Sequence, residues 1–97
     1  MVSRSKAKID MRVAELRLRY PHIQFKSVEA DLSTFTSVAS FRELVSHEIA
    51  SLDVGVVCLN AGCCVEGPVD LVSDSELERV FGLNGLHVVY LTKALLS

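Results

Sequence analysis

The stretch LDVGVVCLNAG, from Leu52 to Gly62, decides the expected fold of this 97-residue chain. Residues 54–59 within it are apolar apart from a single glycine. A short apolar run of this kind is typical of a strand that is covered on both faces in a parallel sheet. The run ends in the small-residue turn Asn60-Ala61-Gly62, and open α/β sheets bind ligands at such turns because the next helix leaves a crevice there. We therefore expect a central strand with a ligand site at its carboxyl end.

Three elements are expected upstream of this strand. Apolar residues recur at helical spacing from Ser5 to Tyr20, and a proline follows, which predicts a helix. Residues 23–30 begin with apolar and polar residues in alternation, which predicts a strand that leads into the turn Asp31-Leu32-Ser33. A second helix is expected over residues 36–51, with Ser33 or Ser37 as its candidate cap.

A long helix is expected downstream, over residues 73–96. Gly67-Pro68 signals a turn in the preceding loop, and Ser73 with Glu76 fits a capping box. One stripe of this helix should be apolar, except that it contains Asn84, and its members are Leu77, Phe81, Asn84, Val88, Leu91 and Leu95. A buried amide must find hydrogen-bond partners or cost on the order of 1–3 kcal/mol, so we expect Asn84 to be bonded.

The predicted order is helix, strand, helix, strand, helix. Such alternation favours an α/β fold with a parallel sheet and right-handed crossovers. Met1 and Val2 could be the last residues of one more strand, which would make Ser3-Arg4-Ser5 the turn after it.

Charge and composition narrow the classes of function. Residues 1–26 carry seven Lys or Arg against two acids, and residues 27–97 carry three against ten. The basic end is either a solvated helix face or a site for an anionic ligand. It has no interleaved aromatic residues, so we do not expect nucleic acid as a partner. The three cysteines are crowded at positions 58–64 without the spacing of a metal site or a disulfide framework, which favours a reducing, intracellular compartment. No apolar run approaches the length that spans a membrane.

Three signals in register give the chain a family resemblance. The LNAG after the apolar strand resembles the NNAG motif of the short-chain dehydrogenases/reductases, with Leu59 in place of the first asparagine. Asp31-Leu32 stands where that family has an acidic residue beside the adenine of its cofactor. Asn84 follows Asn60 by 24 residues, where the family keeps an asparagine inside a long helix.

The resemblance implies a cofactor site and a fold. The fold would be an incomplete Rossmann-like doubly wound parallel sheet. Ser3 and Arg4 would then hold the 2′-phosphate of NADP, whereas an acidic residue there would favour NAD. Asp31 and Leu32 would line the adenine pocket, and Asn60, Ala61 and Gly62 would lie against the ribose. Without the resemblance, Arg4 is an exposed residue of a frayed terminus, Asp31 caps a turn, and Asn60-Ala61-Gly62 is a plain turn.

The resemblance gives Asn84 a catalytic role. In the family this asparagine distorts its helix, and a backbone carbonyl that it frees holds a water in the proton relay behind the catalytic lysine. The alternative is a buried asparagine that only bonds to a neighbouring strand.

Several parts of the family pattern are missing from these 97 residues. The glycine-rich phosphate loop should precede Met1, and the catalytic serine and Tyr-x-x-x-Lys do not occur: Tyr20 is followed at that spacing by Gln24, and Tyr90 by Ala94. We therefore expect residues 1–97 to be a partial NAD(P)-binding domain that is inactive alone and unstable or prone to aggregate.

Two functions are compatible with this pattern. The first is a part of an NADP-dependent oxidoreductase that acts on a carbonyl or alcohol. It is most similar to the hydroxysteroid dehydrogenase and β-ketoacyl-CoA reductase branch, whose members lie at the endoplasmic reticulum. The second is a non-catalytic interaction module that pairs through helix 73–96, as the family does in its homo-oligomers.

Overall fold

The computed structural model describes residues 1–96 of the chain. These residues form two compact units, the first from Met1 to Asp31 and the second from Leu32 onward.

The first unit is a β-α-β arrangement. Strand β1 (Val2–Ser3) pairs in parallel with strand β2 (Val28–Glu29), and helix α1 (Lys6–Arg19) connects them. The helix starts where predicted because the Ser5 hydroxyl accepts a hydrogen bond from the backbone N–H of Lys8. Two of its apolar residues, Ile9 and Val13, are buried. The expected terminal strand and its parallel pairing are thus confirmed, but the strand is Val2–Ser3, so Ser3 belongs to the strand and not to the turn in which it was expected.

The strand predicted over residues 23–30 is much shorter than expected. Only Val28 and Glu29 are paired, and Ile23 is exposed. The described part of the first unit offers these residues a partner strand of just two residues, and a ladder cannot extend beyond its partner.

The second unit is helical. A 3-10 turn (Leu32–Thr34) precedes α2 (Val38–Glu48), which is followed by α3 (Asp74–Phe81), a π-helical segment (Gly82–Leu86) and α4 (His87–Leu96). Of the two candidate caps for α2, Ser37 is the one observed. Helix α2 packs on α4 through the fully buried ring of Phe41, whose centroid lies 5.1 Å from that of Phe35 and 6.4 Å from that of Tyr90.

The prediction of a central strand at residues 54–59 is wrong. Residues 53–66 have no regular secondary structure, and Val54, Val56 and Val57 are exposed. The run has the composition of a strand, but a strand also needs a neighbour to accept and donate its ladder hydrogen bonds. The only sheet in residues 1–96 is the pair β1 and β2.

The predicted continuous helix over residues 73–96 is interrupted. The capping box at Ser73 and Glu76 is present, but the π-helical segment changes the phase of the side chains that follow. The buried residues between positions 73 and 96 are Gly82, His87, Leu91 and Ala94, whereas Phe81 and Asn84 are exposed. The expectation that Asn84 lies on a buried face is therefore wrong.

The fold class is confirmed at its coarser level. The protein is a mixed α/β chain with a small parallel sheet and several helices, and a full Rossmann fold is not confirmed. Within residues 1–96, none of the helices has both the length and the apolar character needed to traverse a bilayer.

Candidate functional site

Ser3, Arg4 and Asp31 lie at one edge of the small sheet. Ser3 pairs with Glu29, and the Ala30 amide donates to the Ser3 carbonyl over 3.0 Å. Because β1 and β2 are parallel, Arg4 and Asp31 both follow the carboxyl ends of adjacent strands. The structure therefore brings these three predicted cofactor residues to the same edge of the first unit.

The chain between β1 and α1 is arranged like an anion site. Arg4 is exposed there, just before the amino terminus of α1, whose backbone N–H groups carry partial positive charge. The next cation, Lys6, is engaged with Asp10, since the Lys6 ammonium donates to the Asp10 carboxylate over 2.8 Å. This hydrogen bond raises the pKa of Lys6 and lowers that of Asp10, and a second bond from Ser27 lowers the Asp10 pKa further.

The second unit contains a different cluster around Asn84. The Asn84 Oδ1 accepts from the backbone N–H of Cys63 over 2.8 Å, and its Nδ2 donates to the Cys63 carbonyl over 2.7 Å. One carboxamide thus satisfies both backbone groups of the residue that follows Asn60-Ala61-Gly62. The expected hydrogen bonding of Asn84 is confirmed, and its partner is the backbone of this segment.

Gly62 is in close contact with the same carboxamide. A Cβ atom at Gly62 would lie 3.2 Å from the Asn84 Oδ1, which is tighter than ordinary van der Waals contact. A side chain at this position would therefore require the carboxamide to shift by a few tenths of an ångström. The remaining residues of the turn, Asn60 and Ala61, are exposed, so their backbone is open to a ligand.

Leu32 belongs to the turn that packs on the π-helical segment. Its side chain is buried in the 3-10 turn and is therefore not open to solvent. The contact is close at Gly82, where a Cβ atom would lie 3.7 Å from the Ser33 carbonyl oxygen. The π-helical segment is thus packed on one side by the 3-10 turn and bonded on another, through Asn84, to Cys63.

His87 is a residue that the sequence analysis did not single out as functional. It is only 1% exposed, and its Nδ1 is hydrogen-bonded to the Leu83 carbonyl. A carbonyl oxygen only accepts, so Nδ1 carries the proton. One signal in the sequence could have identified it, because His87, Leu91 and Ala94 also recur at helical spacing. Leu91 belongs to the predicted stripe, and His87 and Ala94 each directly precede one of its members.

Cysteines and carboxylates do not form a metal site in the described residues. Cys58, Cys63 and Cys64 are free thiols, and the Cys63 thiol lies 3.9 Å from the Arg79 carbonyl oxygen, to which it donates. Within residues 1–96 no group of three His, Cys, Asp or Glu side chains converges as metal ligands would.

Comparison with known proteins adds no assignment. No family model, curated protein or solved structure matches the chain. The class of protein therefore has to be proposed from the sequence motifs and the two clusters above.

Proposed function

We propose that the chain is part of an NADP-dependent oxidoreductase of the short-chain dehydrogenase/reductase type, which moves a hydride between the nicotinamide and a carbonyl or alcohol. The observation that carries this proposal is the distorted helix at Asn84. The resemblance implies a helix distorted at this asparagine, and Gly82–Leu86 is π-helical. Single π-helical turns inside α-helices are rare and frequently accompany functional sites.

The contacts of Asn84 support its proposed role. Its two hydrogen bonds to Cys63 fix the helix against the segment that would contact the ribose. A backbone carbonyl in a helix that is held in this way keeps a constant position. Asn84 would hold the relay water through such a carbonyl, while the proton donor and its lysine would come from residues outside this chain.

The sheet edge of the first unit supports the choice of NADP. Arg4 can bind a phosphate bidentately, and Ser3 and Ser5 supply hydroxyl groups beside it. In the proposed site of the first unit, Asp31 accepts from the exocyclic amine of the adenine. Leu32 and the turn Asn60-Ala61-Gly62 belong to the second unit, and their expected contacts with the adenine and the ribose stay predictions. When bound, NADP supplies the hydride, and these residues bind and orient it.

A second candidate function is interaction through helix 73–96. Phe81 is 65% exposed and Val89 is 63% exposed, and both are large apolar residues on this helix. Such residues favour pairing with another helix, including that of a second copy of the chain. In this case Asn84 would only hold the helix against its neighbouring segment.

A nucleotide titration followed by NMR distinguishes the two functions. The chain is titrated with adenosine 2′,5′-bisphosphate and, for comparison, with adenosine 5′-monophosphate. We expect the bisphosphate to bind more tightly and to shift the backbone signals of Ser3, Arg4 and Asp31. Arg4→Gln should weaken this binding by roughly ten- to hundredfold, because a charge-assisted hydrogen bond contributes about 1.5–3 kcal/mol.

Arg42→Gln is the matched control, because Arg42 is also exposed and lies on α2. It should leave the affinity unchanged. Equal binding of the two nucleotides, or equal effects of the two variants, contradicts the NADP site. Signals of Phe81 and Val89 that shift with protein concentration, without any response to nucleotide, favour the interaction module.

A further inference from the structure

The hydrogen bonds around Leu83 show how the π-helical segment is held. In an α-helix the backbone N–H of His87 would donate to the carbonyl of Leu83, four residues earlier. Here that N–H donates to the Gly82 carbonyl, five residues earlier. The Leu83 carbonyl instead accepts from the ring of His87 itself. The His87 ring therefore donates to the Leu83 carbonyl in place of the His87 backbone N–H, which in the π-helical turn donates to Gly82.

Burial makes this ring the anchor of the turn. His87 is the one buried polar side chain in residues 1–96. A buried polar group destabilises the folded state unless it is hydrogen-bonded. Asn84, Gly85 and Leu86 are exposed, so packing does not hold them. Gly85 is not required by contact either, since a Cβ atom there would meet nothing within 4 Å.

We propose that His87 is a positioning residue, which selects the π-helical register and thereby holds the Asn84 carboxamide on the backbone of Cys63. With the ring bond, the extra residue of the turn is accommodated and Asn84 faces Cys63. Without it, the His87 amide is free to return to Leu83, the segment relaxes toward an α-helix, and Asn84 rotates away. The inference rests on helix geometry and does not require that the chain bind a nucleotide.

Three variants of His87 test this role. In His87→Asn the side-chain N–H lies about where Nδ1–H lies in histidine, so the bond to Leu83 can be kept. In His87→Gln the donor lies one bond farther out, and His87→Leu has no donor. The readouts are the hydrogen-exchange protection of the Cys63 amide and the NMR signals of the Asn84 carboxamide, without added ligand.

The expected result is a graded loss. His87→Leu and His87→Gln should lower the protection of the Cys63 amide by roughly two- to tenfold, as the loss of about one net hydrogen bond would. His87→Asn should restore most of it. His47→Leu is the control, because His47 is exposed on α2 and should leave Cys63 unaffected.

The comparison of Asn with Gln keeps the test decisive if His87→Leu fails to fold. Amides of α2 report overall unfolding, and they should stay protected while the Cys63 amide responds. Equal protection of Cys63 in the Asn and Gln variants overturns the proposal, as does an unchanged Asn84 signal in a folded Leu variant. The nucleotide titration can fail without affecting this result, and the reverse also holds.

Discussion

At Gly62 the lack of a side chain is what admits the Asn84 carboxamide to the backbone of the next residue. An added methyl group would press on the oxygen that accepts from the Cys63 amide. The carboxamide would have to move by a few tenths of an ångström, and we expect this shift to weaken its hydrogen bonds to Cys63. The hydrogen bonds of Asn84 to Cys63 thus depend on the space that Gly62 leaves.

Gly62→Ala should therefore destabilise the second unit. We expect a loss of about 1–2 kcal/mol in the free energy of unfolding, since each of the two hydrogen bonds contributes roughly 1 kcal/mol. Urea unfolding measures it. Gly55→Ala is the matched control in the same segment, because a Cβ atom there meets nothing within 4 Å. A loss of equal size in both variants would show that the contact with Asn84 is not the cause.

The sequence indicated that Asn84 needs hydrogen-bond partners, but it did not indicate which partner the side chain has or that the residue is exposed. Asn84 stood out because an asparagine interrupts an apolar stripe, and its need for partners followed from the chemistry of an amide. Its exposure and its bond to Cys63 depend on the phase change at Gly82–Leu86, which local patterns do not encode. His87 was overlooked for the same reason.

The helices begin where their caps are. Ser5, Ser37 and Ser73 each accept a backbone N–H at the start of a helix. The sequence identified Ser73 as a cap and Ser37 as one of two candidates, whereas Ser5 was expected only as the first residue of its helix. A cap involves residues three positions apart, so local sequence suffices to predict it. The strand expected at residues 54–59 failed because strand formation depends on a distant partner.

The capping box of α3 should make its stability depend on pH. Ser73 donates to the Glu76 carboxylate through its hydroxyl over 2.6 Å and through its backbone N–H over 3.3 Å, and these bonds lower the pKa of Glu76. A lowered pKa stabilises the folded state above the ordinary pKa of glutamate. This stabilisation is lost as the pH falls through the lowered value.

Ser73→Ala should cost about 1 kcal/mol at neutral pH, as the loss of a serine cap does. It should also weaken the dependence of unfolding free energy on pH in the acid range. Urea unfolding at pH 7 and at several lower pH values measures both effects. Ser46→Ala, at an exposed position within α2, should change neither. An acid dependence identical to that of the unmodified chain would contradict the role of Ser73.

At the scale of the whole molecule, the second unit contains a stretch, residues 53–66, that has no regular secondary structure. Residues 54–59 of this segment combine high β-propensity with no charge and no proline. Exposed segments of this composition pair with copies of themselves. This segment adds a second physical reason to the expectation that the chain is prone to aggregate, which followed from the missing parts of the domain.

Val56→Lys should therefore slow self-association. Val56 is 84% exposed, and a charge within the run opposes stacking of identical segments. Light scattering as a function of time and concentration measures the effect. Leu18→Lys makes a similar apolar-to-charged change at an 88% exposed position on α1 and should have little effect. If both variants aggregate at the same rate, association does not start at residues 54–59.

In a β-sheet, the N–H and C=O of a strand residue are normally hydrogen-bonded to the backbone of the adjoining strand. At Cys63 a single side chain from a helix does so instead, by presenting a donor and an acceptor side by side. The coupling that this creates is reciprocal. A ligand that binds residues 60–62 more tightly when Asn84 is bonded to Cys63 would therefore also stabilise the helical turn at Asn84, and a change that weakens this turn would weaken that binding.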